Sequence, residues 1–581
     1  MSTQAVPFDK DIAASRVPSR RSLFSRLRPE LLVQGASVWL MCLLIIAPLA
    51  VILVKSAMVE EWGKPAAFTL QNYAATFTNT GLFGAVLNTL IASIGTTAFA
   101  GVIGVSLAWL VARTNMPGRR WLDVGNMVPI YLSPFIGAIA WTYLAAPRSG
   151  FLNNVAAGIG LTSSFFNIYG LHGIIWVQAI FFTPLVYVMT LAALRHMDPS
   201  LEECSRACGR GIAATTFKVT LPLVTPSILS ALILTFVSSA GEFGVPLTLG
   251  TPKNVDLLST RIFESLTRSR PDFNLAAAMG TILMAVTIAC VMLHRYVIMR
   301  RNYVTVSGRG YRPAVIELGW WRYVGLAFNV LYLLVAVVLP LFMLLLMSLQ
   351  KAWLGSFSMK RFTFGNYSDL FEIVPAAGTG LQNSIILSVV GATVGVFMSL
   401  MVAQAIYRTK LPGRRFIDLI TSLPVGIPGI VLAMGILIIA IRTPLYGSLL
   451  VLLIAYLTRF IPVGQRSVSG VLLATSPELE EASRACGSGY GRTLWRVTLP
   501  LVKPGMVAAW ILLFIFFLRE LPISILLFQP GNEVMSVALW IIMEHTTSGR
   551  TAAYALMQCA LVLVFVACVR MLTDRTETVG V

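Results

Sequence analysis

The sequence predicts an all-α membrane protein with about twelve transmembrane helices, arranged as two parallel repeats of six. Hydrophobic residues make up 56% of the chain and charged residues only 12%, and the mean hydropathy is +0.78. Soluble globular domains carry roughly twice that share of charged residues. Apolar segments long enough to cross a bilayer recur along the chain. The polar segments between them occur in two similar copies.

Twelve apolar segments approach or exceed the roughly 20 residues that a membrane-spanning helix needs. In the first half they lie near 34–56, 83–112, 124–147, 172–194, 223–248 and 275–299. In the second half they lie near 323–349, 380–407, 417–441, 446–471, 502–527 and 551–572. We therefore predict a basic cytoplasmic tail at 1–33, a first half at 34–299, a cytoplasmic linker at 300–322, a second half at 323–573 and a short cytoplasmic tail at 574–581.

The net charge of +19 is explained by the positive-inside rule, so no nucleic-acid partner is predicted. With both termini in the cytoplasm, lysines and arginines on the cytoplasmic side outnumber those on the opposite side by more than two to one. This count places Arg459 and Arg466 in the inner half of a span. The N-terminal tail is interpreted as uncleaved, either as a topology signal or as a contact for anionic lipid headgroups.

No motif for catalysis or cofactor binding is present. Seven cysteines and four histidines are scattered without a CxxC or zinc-ligand spacing, so neither a disulfide framework nor a metal site is predicted. The GxxxxGK[ST] motif that cradles ATP phosphates is absent. These observations disfavour an integral membrane enzyme, and no cofactor is expected on this chain.

The most similar polar segments are LEECSRACGRGIAATTFKVTLPLVTP at 201–226 and LEEASRACGSGYGRTLWRVTLPLVKP at 479–504. Seventeen of their 26 residues are identical, at a fixed offset of 278. Each copy follows a capping residue and a proline, which predict a helix start. Each also contains a glycine suited to a turn. The predicted short helix, turn and second helix could dock into a groove on a partner; the alternative is a duplicated loop that has none.

Each copy contains a glutamate, a glycine six residues later, an aliphatic residue ten residues after that, and then Leu-Pro. This pattern resembles the EAA loop of ABC importer permeases. The first copy matches at Glu203, Gly209, Val219, Leu221 and Pro222, with Ala207 in the turn and Cys204-Ser205 in place of two alanines. The second matches at Glu481, Ala482, Gly487, Val497, Leu499 and Pro500, with Ala485 in the turn and Ser483 in place of the second alanine.

In that family the loop inserts into the ATP-hydrolysing subunit and carries its motion to the membrane helices. The resemblance implies a fused permease of the bacterial inner membrane, with type I importer domains at about 80–299 and 375–573. It also implies two copies of an ABC ATPase subunit, which would bind the ATP, and a periplasmic solute-binding protein.

Other segments repeat as well. RTNMPGRRWLD at 113–123 matches RTKLPGRRFID at 408–418 in seven of eleven residues. Further upstream, Asn72-Tyr73 corresponds to Asn366-Tyr367, and Asn88 to Asn383. An even number of spans separates the halves, so both run in the same direction. Parallel repeats predict a pseudo-two-fold axis along the membrane normal, with a path between the halves.

Two glutamates within predicted spans, Glu242 and Glu520, correspond at the same offset of 278. A charged side chain at the bilayer centre costs about 2.5–3.5 kcal/mol on insertion scales, so each needs a partner, water or a broken helix. We expect Arg519 to neutralise Glu520. The three residues either line the translocation path or its outer gate, or are solvated helix ends near the outer interface.

Glycines and prolines beside the glutamates predict that both helices break there. These residues are Gly241, Gly244, Pro246 and Pro522. Two further prolines, Pro134 and Pro424, lie early in corresponding spans. They are interpreted either as hinges or as ordinary packing kinks.

A fused chain of this size is most similar to the ferric-iron uptake permeases. Glu520-Leu-Pro, followed by Leu526-Leu527 and Gln529-Pro530, resembles the ELP…LLxxP stretch of iron permeases. Thiamine, phosphonate and polyamine permeases remain open alternatives. The rival from another class is a twelve-helix secondary transporter, which would need charges for ion coupling but no docking loops.

Overall fold

The computed structural model describes residues 29–59, 67–160, 162, 164–300, 315–353, 358–409 and 413–578. The predicted basic tail up to residue 28, residues 301–314 of the predicted linker and residues 579–581 lie outside this description. Helices dominate the described residues in both halves.

The described part of the first half contains two short strands and twelve helices. They are α1 (Pro29–Ser56), β1 (Met58–Val59), β2 (Ala67–Phe68), α2 (Gln71–Thr78), α3 (Thr80–Arg113), α4 (Arg119–Tyr131), α5 (Pro134–Ala145), α6 (Phe151–Gly158), α7 (Leu171–His196), α8 (Ser200–Ala207), α9 (Ile212–Ala240), α10 (Gly244–Gly250), α11 (Leu258–Thr267) and α12 (Phe273–Arg300). The two strands form an antiparallel pair in which Met58 faces Phe68.

The described part of the second half is helical and follows the same order. Its helices are α13 (Trp321–Ser348), α14 (Gly365–Ser368), α15 (Leu370–Ile373), α16 (Pro375–Tyr407), α17 (Arg414–Gly426), α18 (Gly429–Ala440), α19 (Leu449–Ala474), α20 (Glu478–Ala485), α21 (Tyr490–Leu518), α22 (Ser524–Leu527), α23 (Met535–His545) and α24 (Ser548–Thr578).

Ten helices in the described residues are long and apolar enough to cross a membrane, and two bent helix pairs raise the number to twelve. The bent pairs are α4 with α5, at 97°, and α17 with α18, at 107°. The number of predicted spans is therefore confirmed, and the predicted spans near 124–147 and 417–441 correspond to the two bent pairs. Because a residue that precedes proline disfavours helical backbone, Ser133 and Ile427 are extended and interrupt the helices. Bends near a right angle exceed ordinary packing kinks.

The first long helix of each half, α1 or α13, packs partly against the other half. We call α1 and α13 the leading helices and this packing their exchange. Helix α1 packs on α12 of its own half and on α16 to α18 of the second half, while α13 packs on α24 and on α5 of the first half. Small residues permit the close contact: a Cβ added to Gly435 would lie 2.6 Å from the Pro48 carbonyl oxygen, and one added to Gly325 would lie 2.8 Å from Leu110. The two halves are interlocked by this exchange.

The repeated Asn-Tyr pair fixes the end of each leading helix. Asn72 donates to the carbonyls of Ser56 and Met58, at 3.2 and 2.8 Å, and the Tyr73 hydroxyl donates to Ser56 Oγ at 2.7 Å. These bonds satisfy carbonyls at the helix end. The second half repeats the contacts with Asn366, Tyr367, Ser348 and Gln350.

Candidate functional site

The first repeated loop forms a short helix, a turn and a long helix, as its sequence predicts. Helix α8 begins where the Ser200 N–H donates to the Asp198 carboxylate at 2.9 Å, an interaction typical of helix starts. The turn after α8 contains Gly209 with a φ of +82°, which only glycine adopts without strain. Ser205 and Thr215 join their hydroxyls at 3.0 Å and hold α8 against the start of α9.

The second loop has the same geometry. The Glu478 N–H donates to the Ser476 hydroxyl at 3.3 Å, and Gly487 also has a φ of +82°. Ser483 and Thr493 repeat the hydroxyl contact at 3.0 Å. The near-identity of the two sequences is therefore matched by near-identity of backbone.

Most of the residues assigned to the EAA-like motif are exposed in both loops. The exposed residues are Glu203, Ala207, Gly209, Pro222, Glu481, Ala482, Ala485, Gly487 and Pro500, whereas Leu221 and Leu499 are half-buried. The loops also expose large apolar side chains at matching positions. They are Leu201 with Leu479, and Phe217 with Trp495.

The Leu-Pro pairs lie inside continuous helices. Helix α9 begins at Ile212 and α21 at Tyr490, nine residues before Leu221 and Leu499. The five residues that precede each leucine are π-helical. Because the following proline has no N–H, one hydrogen bond of the helical ladder is missing there, and the π-helical segment adjusts the helix around it. These helices therefore start well before the predicted spans.

A buried charge pair ties the first loop to the membrane helices, and the sequence analysis missed it. Arg113, the last residue of α3, lies 3.4 Å from Glu202 of α8, measured from Nε to Oε1, and the two side chains are 0% and 1% exposed. The Thr220 hydroxyl donates to the same carboxylate oxygen at 2.6 Å. Three elements thus meet at one carboxylate: the end of α3, the loop helix α8 and the helix α9.

The second half repeats this pair with Arg408 and Glu480, at 3.7 Å. Arg408 also donates to the carbonyls of Leu472 and Thr475, at 2.8 and 2.7 Å. Both arginines begin the RTxxPGRR repeat, and both glutamates precede the glutamate of the EAA-like motif. The signal available in the sequence was a pair of oppositely charged residues kept in both copies of two separate motifs.

The predicted path residues Glu242, Arg519 and Glu520 line one cavity of about 270 Å³, together with Arg459, which was not among them. The two proposed hinge prolines, Pro134 and Pro424, also line it, as do aromatic residues. The aromatic residues are Phe135, Phe181, Phe182, Phe460 and Phe516. Both halves contribute to the wall, as parallel repeats predict.

The cavity lies far from the loop-side ends of its helices. Arg459 precedes the loop-side end of α19 by 15 residues, which corresponds to about 22 Å of helix. The break at Leu132 follows the start of α4 by 13 residues, or about 20 Å. The two interpretations of Glu242, Arg519 and Glu520, as path or gate residues and as solvated helix ends near the outer interface, stay predictions. The placement of Arg459 in the inner half of a span also stays a prediction.

The helices break beside both glutamates, as glycine and proline predict. Helix α9 ends at Ala240 and α10 begins at Gly244, while α21 ends at Leu518 and α22 begins at Ser524. The Glu242 carboxylate accepts from the Gly244 N–H at 3.1 Å, and the Glu520 carboxylate accepts from the Ile523 N–H at 3.3 Å. Serines hold the backbone carbonyls of both glutamates. They are Ser259 of α11 and Ser536 of α23.

The two arginines bind the carbonyls exposed by the bent helix pairs. Arg519 donates to the carbonyls of Ile130 and Leu132 in the first half, the latter at 3.1 Å. Among the described contacts it forms no hydrogen bond with Glu520, and it interacts with that carboxylate electrostatically.

Arg459 plays the same part in the second half. It donates to the carbonyls of Pro424 and Ile427, and it also interacts through space with Glu520. At the break in each bent pair, one guanidinium therefore donates hydrogen bonds to the exposed carbonyls.

The described residues contain no group of three or more histidine, cysteine, aspartate or glutamate side chains placed to hold a metal ion. The cavity offers two carboxylates, two guanidiniums and backbone oxygens. This arrangement can pass or briefly contact a solute.

A family model for the binding-protein-dependent transport system inner membrane component matches residues 100–302 and 391–578. The two matches fall one in each half and together cover more than half of the chain. The chain belongs to this family. The predictions of a fused two-half permease and of an all-α membrane fold are thereby confirmed, and the family consists of transport components.

Some relatives of this permease match most of the chain, and others match less than one half of it. A ferric transport system permease protein of Actinobacillus pleuropneumoniae is 24% identical over 81% of this chain and 69% of its own length. An Fe(3+)-transport system permease protein of Haemophilus influenzae is 26% identical over 81% of this chain and 86% of its own. A molybdenum transport system permease protein of Escherichia coli is 31% identical over 28% of this chain and 70% of its own.

Proposed function

We propose that this permease forms the membrane path of an ATP-driven importer for ferric iron, delivered by a periplasmic solute-binding protein. The observation that carries the proposal is the pair of exposed loops with the same backbone, one in each half. Two relatives that match about four fifths of the chain are named as ferric or Fe(3+) permeases, which supports iron as the substrate.

Each loop docks one ABC ATPase subunit, so the chain binds two copies. The first loop exposes polar and small residues, such as Glu203 and Gly209, together with the apolar Leu201. A surface that combines apolar and polar residues is typical of protein interfaces. Because the sequence has no phosphate-binding loop motif, ATP binds to the ATPase subunits and not to this chain.

The buried charge pairs carry movement from the loops into the membrane. Arg113 ends α3 and Arg408 directly follows α16. They contact the loop glutamates Glu202 and Glu480. A loop displaced by its ATPase therefore pulls on a helix of more than 30 residues. The two halves rock against each other, and the cavity between them opens to each side in turn.

The loops, the linker and both termini lie in the cytoplasm under this proposal. The excess of lysine and arginine on that side supports the orientation. Glu242, Arg519 and Glu520 lie on the translocation path.

Substitution of both turn glycines tests the coupling. Gly209→Asp with Gly487→Asp strains a backbone that needs positive φ and puts charge on the docking surface. In proteoliposomes with the ATPase and the binding protein, we expect ATP-driven ⁵⁵Fe uptake to be lost. Either ATP hydrolysis continues without uptake, or the ATPase dissociates from the permease.

The matched control is Gly211→Asp with Gly489→Asp. These glycines are also exposed, but their φ values are both −68°, so uptake should largely persist. Uptake by the wild-type chain with no ATPase present would instead identify a secondary transporter. Uptake of labelled thiamine or polyamine in place of iron would overturn only the substrate assignment.

A further inference from the structure

The oxygen atoms at the cavity are duplicated between the halves, whereas the cationic groups are not. Glu242 corresponds to Glu520 at the offset of 278, and the break at Leu132 corresponds to the break at Ile427 at the offset of the RTxxPGRR repeat. By contrast, Arg459 and Arg519 correspond to Phe181 and Gly241. Two equivalent sets of oxygens therefore face two arginines that come only from the second half.

These oxygens form a set that suits a hard cation. Carbonyls at a helix end carry partial negative charge, and carboxylates carry a full one. Oxygens of both kinds are the preferred ligands of hard metal cations. Channels build cation paths from the same two groups.

The two guanidiniums contact the same carbonyl oxygens that such a cation would contact. Arg519 takes the carbonyls of Ile130 and Leu132, and Arg459 takes those of Pro424 and Ile427. Both also interact electrostatically with Glu520. The formal charges of the two carboxylates and two guanidiniums in the cavity sum to zero, so that a free cation gains little by entering.

We propose that the Arg459 and Arg519 guanidiniums take the place of the cationic substrate at the cavity oxygens. When the path is empty they satisfy its carbonyls and balance its carboxylates, which closes it to small cations. When the halves rock apart they withdraw, and the carbonyls and carboxylates contact the substrate, a hard metal cation, as it passes. This role rests on the proposed importer function and specifies the substrate class.

Removal of one guanidinium should open the path to cations. In proteoliposomes that contain the permease–ATPase complex, without ATP or binding protein, Mn²⁺ entry is followed by quenching of trapped calcein. We expect Arg519→Met and Arg459→Met each to raise the rate of Mn²⁺ entry by about tenfold, because two carboxylates then face one guanidinium and a cavity with excess negative charge concentrates cations. Arg519→Lys should restore the wild-type rate.

Two controls separate this role from a loosened fold. Arg442→Met removes an exposed arginine outside the cavity and should leave Mn²⁺ entry unchanged. Adding Glu242→Gln and Glu520→Gln to Arg519→Met should return it to the wild-type rate. Unchanged Mn²⁺ entry in both methionine variants, or an equal increase in chloride entry, would overturn the proposal. ATP-driven ⁵⁵Fe uptake by the wild-type complex tests the importer function separately.

Discussion

Adjacent glutamates in each coupling loop point in opposite directions. Glu480 is 8% exposed in its side chain and contacts Arg408, whereas Glu481 is exposed. The first loop repeats the contrast with Glu202 and Glu203. One glutamate therefore holds the loop to the membrane helices, and its neighbour faces the proposed ATPase subunit.

Alanine at each position should separate the two roles. Glu480→Ala leaves the mostly buried Arg408 without its carboxylate, and breaking such a pair costs up to about 3 kcal/mol. We expect a lower melting temperature for the purified permease. Glu481→Ala should leave the melting temperature unchanged and weaken ATPase binding. Equal effects of the two substitutions on both measurements would argue against this division.

Single-residue features of the loops were only partly predictable. The pattern of two neighbouring glutamates does not tell which one is buried, because that depends on how α8 and α20 rotate against α3 and α16. The EAA-like motif identified the exposed glutamates. The buried ones required the position of an arginine about 70 to 90 residues away in sequence.

Interrupted helices form the wall of the cavity between the two halves. The bent pairs α4–α5 and α17–α18 leave carbonyls that arginines occupy, and the breaks after α9 and α21 place the glutamates at the same cavity. Glycine and proline predicted where these breaks lie. The size of the bends was not predictable, since it depends on which side chains satisfy the exposed carbonyls.

Contacts between leading helices and the opposite half depend on small residues. Gly435→Ala in α18 would place a Cβ 2.6 Å from the Pro48 carbonyl oxygen of α1, and overpacking of this kind costs about 1–3 kcal/mol. We expect a lower melting temperature and faster proteolysis of α1. Gly470→Ala in α19 has no atom within 4 Å and should be neutral or slightly stabilising. A melting temperature unchanged by Gly435→Ala would contradict the exchanged packing.

The whole molecule combines two-fold repetition with specific asymmetry. The coupling loops, the Asn-Tyr contacts and the glutamates are duplicated, whereas both cavity arginines lie in the second half. The repeats were predictable because the polar motifs stand out between apolar segments. The exchange of α1 and α13 was not, because an apolar helix surface does not specify its partner. Arg459 was missed because an arginine in a span also fits a charge count used for topology.

Under the proposed function, a separate ATPase subunit covers both loops from the cytoplasm. Cys208 and Cys486 are exposed at matching positions in the loops, and the remaining cysteines can be replaced by serine. The direct measurement is labelling of these two residues by a membrane-impermeant maleimide in inside-out vesicles, with and without the ATPase.

We predict that both cysteines react in vesicles without the ATPase, that neither reacts in right-side-out vesicles, and that the bound ATPase reduces labelling of both to the same extent. Reaction from the periplasmic side, or labelling that the ATPase leaves unchanged, would contradict the account.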